Sequence, residues 1–347
     1  MTINKYITDF DQLYDSMCKC KKNVSWKPSV KAFVINGIEN CLKAEYQLQN
    51  GTWKNRKPKP ITITYPKRRE CLSIPFRDRI YQRSINDNAL YPQTTRHFIY
   101  TNIACQKGKG PDKAMDVMRK YLHRYYINNG TNKGYVVWID VHGYYPNMRH
   151  SDVNKCFKKL CDEDIAEMAK DVLDAQYCGD VGYNPGSQMV QIAGISLLNE
   201  LDHFIKEKLR CKSYIRYMDD MFLITNDLEQ AKQWLKIVCG KLIELGFEPN
   251  PKKAKVCRID KGFHYLGFKA TLSDTGRVFY NLNSQNIKHE RRKLKKQVIL
   301  SKKGMIPKKD IDAGYRCWKA HASKGNSYKL IKRMDAYYKS LWKEIQI

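Results

Sequence analysis

Apolar positions recur along this chain in two periods. Between residues 28 and 50, Val30, Phe33, Val34, Ile38, Leu42 and Tyr46 fall at three- and four-residue steps. That is the spacing of one helix face, and Asn50-Gly51 marks its end. Alternation replaces it at Ile61, Ile63 and Tyr65, which sit among threonines, and Leu72 and Ile74 form a second run. The Pro-Lys-Arg-Arg turn from Pro66 to Arg69 between the two runs predicts the basic tip of a two-stranded hairpin. Residues 76–91 and 111–126 return to helical spacing. Residues 135–141 open on an unbroken apolar run, from Tyr135 to Ile139, that reaches Asp140; such a run predicts a buried strand. Residues 187–209 predict one long helix, with Gly194, Leu198, Leu201, Ile205 and Leu209 on one face. Residues 213–225 predict strand, turn and strand, and 228–245 an amphipathic helix followed by an Asn-Pro-Lys-Lys turn at 250–253. Short strands are expected at 263–268 and 277–282. From Ser284 onward the chain is helical and basic. There is no internal repeat and no long linker.

Composition narrows the class. A chain of 347 residues with 42% apolar content can bury a sizeable core. Its 63 Lys and Arg against 35 Asp and Glu give a formal charge of +28. Self-repulsion of that size is offset by a polyanion, which makes RNA or DNA the leading partner. No stretch approaches the ~18–20 consecutive apolar residues of a membrane span. The first residues lack the apolar region of a signal peptide. A cytoplasmic location is expected, with no membrane partner. The 12 Cys are scattered without any CxxC pair, which predicts free thiols in a reducing compartment and no zinc.

Two constellations carry chemistry. Asp219 and Asp220 sit at a tight turn between two apolar, β-prone runs. Adjacent carboxylates against a hydrophobic sheet raise each other's pKa or require a cation, and Mg²⁺ prefers carboxylate and phosphate oxygens. Asp140, at the end of its buried strand, is placed to meet them across neighbouring strands. Three such carboxylates can hold two metal ions about 3.5–4 Å apart. Read alone, an Asp-Asp pair is an ordinary hairpin turn, and Asp140 an N-cap.

Taken in order, these pieces resemble the motifs of reverse transcriptases. Asp140 followed five residues later by Tyr145 resembles motif A. Gly186-Ser-Gln-Met-Val-Gln191 falls where motif B belongs, before a long helix. Tyr217-Met-Asp-Asp220 resembles motif C, Gly246-Phe-Glu-Pro-Asn-Pro-Lys-Lys253 motif D, and Phe263-His-Tyr-Leu-Gly-Phe268 the primer-grip motif E. Residues 69–79 and Gln106-Lys-Gly-Lys-Gly110 resemble the fingers motifs of bacterial enzymes.

The resemblance implies an α/β (α+β) right-hand polymerase. Fingers would occupy 1–134, a palm with a small antiparallel sheet and helices 135–283, and a basic helical thumb 284–347. It implies RNA-directed DNA synthesis with two Mg²⁺ ions, for which Mn²⁺ can substitute. Asp140, Val141, Asp219 and Asp220 would supply the metal ligands, and Lys253 a proton for the departing pyrophosphate. Tyr145 would be the steric gate that selects deoxynucleotides, with the amides of 141–144 facing the triphosphate and Lys67, Arg68 or Arg69 gripping it. Gly186, Gln188 and Gln191 would border the nascent base pair. Lys107 and Lys109, with Lys288, Arg291, Arg292, Lys295 and Lys296 at helical spacing, would meet nucleic acid. Trp318, Tyr328, Tyr337, Tyr338 and Trp342 are expected in the core of the C-terminal helices.

The partners implied are an RNA template, a DNA or RNA primer and deoxynucleoside triphosphates. Gly186, Gln191 and the Tyr-Met-Asp-Asp form resemble enzymes of diversity-generating retroelements, which work with a structured RNA and a small accessory protein in bacteria or their phages. Pro185 and Val190 depart from that pattern, and a retron-type Val-Thr-Gly is absent. An antiphage defence enzyme with a dedicated noncoding RNA is the alternative role. A non-catalytic RNA-binding protein and a membrane-surface protein are the rivals from other classes.

Overall fold

A computed structural model describes residues 3–64, 68–184 and 186–344. Tyr65, Pro66, Lys67 and Pro185, named in the sequence analysis, lie outside the described residues.

The chain opens with helices α1 (Ile3–Ile7), α2 (Phe10–Cys20), α3 (Pro28–Ile35) and α4 (Gly37–Gln49). The single helix expected over 28–50 is thus two, broken at Asn36, whose backbone leaves helical geometry. Gly37 explains the break's position. A Cβ there would lie 3.0 Å from the Met17 sulfur, so the chain turns where α4 touches α2. The expected buried face is corrected as well. Gly37, Cys41 and Ala44 face inward, while Ile38, Leu42 and Tyr46 are exposed. Small residues permit close helix approach, and the larger apolar ones are left outside.

Strands β1 (Lys59–Ile63) and β2 (Arg69–Ser73) form an antiparallel hairpin, with Ile61 opposite Cys71. Helix α5 (Phe76–Ile85) runs through a π-helical turn (Asn86–Leu90) into α6 (Tyr91–Thr95). The widened turn ends two residues before Pro92, which lacks an N–H for the regular ladder. Helix α7 (Pro111–Asn129) stops at Gly130, whose left-handed φ of 64° lets its N–H close on Tyr126.

At the centre is a four-stranded antiparallel sheet in the order β4-β5-β3-β6, comprising β3 (Tyr135–Ile139), β4 (Tyr214–Tyr217), β5 (Asp220–Thr225) and β6 (Lys255–Arg258). Strand β6 was not anticipated; its short, lysine-bearing sequence lacks an apolar run. Successive side chains of the sheet enter opposite cores. Val137, Ile139, Met221, Leu223 and Tyr214 pack on one side, Val136, Phe222, Ile224 and Ile215 on the other. Both faces being covered explains why the β3 sequence is continuously apolar.

The first face is backed by α8 (His150–Leu160), α9 (Glu163–Asp174), α10 (Gln188–Ser196), α11 (Asn199–His203) and α12 (Leu228–Glu244). The long helix expected over 187–209 is α10 and α11 separated near Leu197, then a π-helical turn (Phe204–Lys208). Its predicted inner residues Leu198, Leu201 and Ile205 are buried nonetheless.

The second face is covered by α7 and a three-stranded sheet of β7 (Phe263–Tyr265), β8 (Phe268–Leu272) and β9 (Val278–Leu282). The expected strand over 263–268 is really two strands joined at Leu266-Gly267, both with positive φ as a tight hairpin loop requires.

Helices α13 (Ser284–Lys302), α14 (Lys308–Ala322) and α15 (Tyr328–Glu344) share a separate core built on Leu294, Val298, Tyr315, Met334 and Tyr338. Trp318, Tyr337 and Trp342 border it, but Tyr328 is 70% exposed, against expectation. The α14–α15 turn is tied to β9 by a reciprocal pair: Asn326 N–H to Tyr280 O at 2.7 Å, and Tyr280 N–H to Asn326 Oδ1 at 2.8 Å. No helix among the described residues is long and apolar enough to cross a membrane.

Candidate active site

The β4–β5 connection is only two residues long. Tyr217 pairs with Asp220, leaving Met218 and Asp219 as the loop. Met218 has φ of 57°, a left-handed conformation that costs a side-chain-bearing residue energy. A fully buried arginine, Arg216, holds it there. Its Nη1 donates to the Met218 carbonyl at 2.8 Å, and its Nη2 to the Ile195 carbonyl on α10 at 2.8 Å. Nε and Nη2 form a two-pronged pair with Asp202 of α11, at 2.8 and 2.6 Å, and Tyr214 donates to the same carboxylate. Burial works against the Arg216 charge, but Asp202 outweighs it and holds the guanidinium above its ordinary pKa. The turn is therefore clamped from beneath to two helices. Sequence reasoning missed Arg216 and Asp202. The signal was one basic residue inside an otherwise apolar strand, which must find a buried partner.

Asp140 leaves the end of β3 and is 5% exposed. Lys253 donates to its Oδ1 at 2.8 Å and Asn250 to its Oδ2 at 2.9 Å. The backbone strengthens this seam: Asn250 N–H reaches the Asp140 carbonyl, and His142 N–H the Glu248 carbonyl. Segment 248–253 thus runs along 140–142, and Val141 is buried in bridge pairing with Pro249. The His142 amide is already engaged within this seam. Asn250 is another residue that sequence reasoning passed over, although it opens the Asn-Pro-Lys-Lys turn.

Electrostatics bind the three carboxylates into one site. Burial, then the Asp140 charge, raises Asp219 above its usual pKa, against opposition from Lys253 and Arg216. Burial pushes Asp220 up to about 7, with Asp140 and Asp219 adding to it; the Trp138 indole N–H, 3.0 Å away, and Lys253 resist. Burial disfavours the charged Lys253, but its Asp140 hydrogen bond and the three carboxylates leave its pKa raised. Among the described residues no three acidic, His or Cys side chains close on a single point as a metal cage would. Asp140 is turned to Lys253 and Asn250, and Asp220 to Trp138. The donor set still suits a hard divalent cation, since one buried and two half-buried carboxylates that repel one another exceed the positive charge beside them.

Tyr145 lies half-buried against α10. A Cβ on Gly194 would come within 3.2 Å of its hydroxyl, so the glycine leaves room for the ring. The neighbouring Tyr144 hydroxyl donates to the Gly194 carbonyl at 2.6 Å. Burial, then Cys105 and Asp219, raises the Tyr145 phenol, which places it within electrostatic reach of the Asp219 turn.

Gly186 has no room for a side chain. Its Cβ would fall 2.2 Å from the Leu72 carbonyl of β2, which brings the loop before α10 onto the hairpin. Ser187 caps α10 through the Met189 N–H and donates to Gln82 on α5. Gln188, half-buried, and Gln191, exposed, line a cleft of about 320 Å³ with Arg83, Asp87, Tyr91 and Lys107.

The basic residues divide. Arg69 is exposed at the start of β2, opposite Ile63. Lys107 is exposed and lies over the Tyr91 ring. Lys109 is committed internally, donating to the Asn102 carbonyl and Gln106 Oε1. Lys288, Arg291, Arg292, Lys295 and Lys296 are all exposed on α13, whose Leu294 and Val298 face inward. The Arg291 guanidinium lies 4.2 Å from the Tyr337 ring centre.

With this geometry in place, two comparisons add identity. A family model described as reverse transcriptase (RNA-dependent DNA polymerase) matches residues 67–270. That span holds all three carboxylates, Tyr145, the Gly186 loop and Lys253. No curated protein matches the chain.

Proposed function

The chain belongs to the reverse transcriptase family, and from that premise we propose that it makes complementary DNA on RNA by metal-dependent nucleotidyl transfer at Asp140, Asp219 and Asp220. The family supplies the general activity, RNA-directed DNA polymerisation, with a nucleic-acid template and primer and nucleotide substrates. The observation that carries the finer reading is the electrostatic one. Burial and mutual repulsion raise Asp219 and Asp220, beside an Asp140 already holding a lysine.

Two Mg²⁺ ions, or Mn²⁺, held by these carboxylates and the Val141 carbonyl, would activate the primer 3′-hydroxyl and offset charge on the pyrophosphate. The protein's own groups do the rest. Arg216 keeps the turn carrying Asp219 in place. Lys253, paired with Asp140 until nucleotide arrives, is positioned to give a proton to the leaving pyrophosphate. Tyr145, backed by Gly194, occupies the space a 2′-hydroxyl would need. Gln188 and Gln191 border the nascent base pair. The hairpin and α1–α7 serve as fingers, the four-stranded sheet with α8–α12 as palm, and α13–α15 as thumb, whose basic face follows the duplex backbone by shape and phosphates.

The biological setting we assign is a bacterial or phage diversity-generating retroelement in the cytoplasm, with a structured RNA and an accessory protein. Its support is the Gly186 and Gln191 pattern. Primer extension on a defined RNA template with Mg²⁺ and four deoxynucleotides tests the whole reading. Full-length products lost in Asp219→Ala/Asp220→Ala are expected, with errors concentrated at template adenines. Even misincorporation across all four bases would remove the retroelement assignment. Well-folded protein that binds RNA yet makes no product, even with its native neighbouring RNA and proteins, would remove the catalytic one.

A further inference from the structure

Residues 3–64 lie outside the family match, yet they present a surface built for a polyanion. Trp26 is 70% exposed in the turn between α2 and α3. Around it stand Lys21, Lys22, Lys27 and Lys31, of which the last three are exposed. Lys27 lies 5.6 Å from the indole centre. The turn is compact: Val24 N–H bonds to the Lys21 carbonyl, Lys27 N–H to the Val24 carbonyl, and the indole N–H to the Asn23 carbonyl. The ring is therefore held outward rather than left on a loose loop.

This surface is continuous with the cleft. Cys20 at the end of α2 reaches the Arg79 carbonyl of α5, and Phe33 of α3 packs edge-on against Phe76 at 5.4 Å. Lys19 pairs with Asp87 at 3.6 Å, and Asp87, bound also by Arg83 at 2.7 Å, lines the cleft beside Gln188 and Gln191. Helix α2, which carries Lys19, paired with Asp15 at 2.6 Å as well as with Asp87, thus links the cleft to the Trp26 turn.

We propose that the α2–α3 turn is a stacking platform for the single-stranded template ahead of the cleft, with Trp26 stacking a base and Lys21, Lys22, Lys27 and Lys31 meeting phosphates. The assignment rests on reading the cleft as the place of the nascent base pair. Single-stranded RNA is the occupant that matches an outward aromatic ringed by cations, because every base offers a face to stack and every nucleotide a phosphate. The apolar stripe of Ile38, Leu42 and Tyr46 on nearby α4 makes a protein the competing occupant.

The test is equilibrium binding of the full chain to RNA templates annealed to a DNA primer, with 5′ overhangs of about 2 and about 12 nucleotides, the longer spanning a single-strand site. Wild type should bind the longer overhang more tightly. Trp26→Ala should reduce that gain about fivefold or more, and Trp26→Phe should retain most of it. Lys21→Glu/Lys22→Glu should flatten the salt dependence on the long overhang by roughly 0.7 in log–log slope for each phosphate that is no longer neutralised. All three variants should bind the short overhang as wild type does, which also verifies folding. Equal gain in Trp26→Ala and wild type, or equal weakening on both templates, would overturn the proposal. No overhang gain in wild type would overturn it too and give the surface to a protein. Because the readout is binding, it stands apart from the polymerase reading, which fails only if the chain extends no template.

Discussion

Two antiparallel hairpins in this molecule share a topology and little else. The β4–β5 hairpin is buried along nearly its whole length, and its turn is clamped by Arg216, Asp202 and Tyr214. In the β1–β2 hairpin every β1 residue is exposed, and of β2 only Cys71 is buried. The first carries two of the three carboxylates, and the second carries the basic tip. Accuracy of position needs a turn over-determined by its surroundings, since strain at Met218 persists only where neighbours enforce it. The β1 and β2 residues, by contrast, are held by few neighbours. The contact of Gly186 with Leu72 ties the β1–β2 hairpin to the loop before α10, the helix whose Ile195 carbonyl accepts from Arg216.

The sharpest way to break this comparison is to release the clamp. Arg216→Ala leaves Asp202 buried without its cation and should cost about 3–5 kcal/mol, measured by chemical denaturation. The pair replaced together, Arg216→Met/Asp202→Leu, should recover much of that stability, because apolar residues of similar size pack where the ions did. It should not recover primer extension, because nothing then holds the Met218 carbonyl. Restored stability together with restored activity would show that the clamp merely stabilises the fold.

Removal of divalent cation tests the same turn by pH. Asp220 is pushed to about 7, and Asp219 is raised, chiefly by burial. Both folded pKa values exceed the unfolded ones, so between pH ~4 and 7 the folded chain binds more protons than the unfolded chain. Stability of the metal-free protein should therefore fall as pH rises from about 5 to 7.5. Mg²⁺ should raise the melting temperature most at the upper end, where the carboxylates are charged. A melting temperature that ignores Mg²⁺ across this range would sink the cation reading of the site.

Gly186→Ala reaches the contact between the β1–β2 hairpin and the loop before α10. A methyl 2.2 Å from a carbonyl oxygen cannot be accommodated in place, so β2 must move. A cost of about 1–3 kcal/mol is expected. Steady-state kinetics should show KM for nucleotide rising more than kcat falls, since none of the three carboxylates sits on the β1–β2 hairpin. An unchanged KM would mean the β1–β2 hairpin does not face the nucleotide.

What could be read from the sequence follows this same division. The chemistry-bearing turn, its carboxylates and the strands around it announce themselves, because burial on both faces forces an unbroken apolar run and leaves charged residues conspicuous. The clamp escaped because Asp202 and Arg216, 14 residues apart, lie on different elements, and their pairing is visible only once α11 and β4 come together. The α3–α4 break escaped because Ile38, Leu42 and Tyr46 keep perfect helical spacing while facing solvent. Periodicity reports that a helix has an apolar stripe, not which neighbour it meets, and here Gly37, Cys41 and Ala44 took the contact by being small. Strand β6 was hidden because its residues are half-buried or exposed, with lysine and arginine at its ends.

The smallest expected effect concerns the exposed hairpin itself. Ile61 and Ile63 alternate as strand residues should, yet remain 44% and 43% exposed. Threonine keeps the β-branched shape that suits a strand and gives up only apolar surface that water already reaches. Ile61→Thr should therefore change stability by no more than about 0.5 kcal/mol. The same chemical change at Val137 on β3, which is fully buried, places a hydroxyl among apolar neighbours and should cost about 1–3 kcal/mol. Denaturation of the two variants side by side measures the contrast directly. Equal losses would mean that Ile61 is covered in solution by something that binds the hairpin. The comparison would then have to be redrawn, with the β1–β2 hairpin as a buried element of a larger assembly rather than a free one.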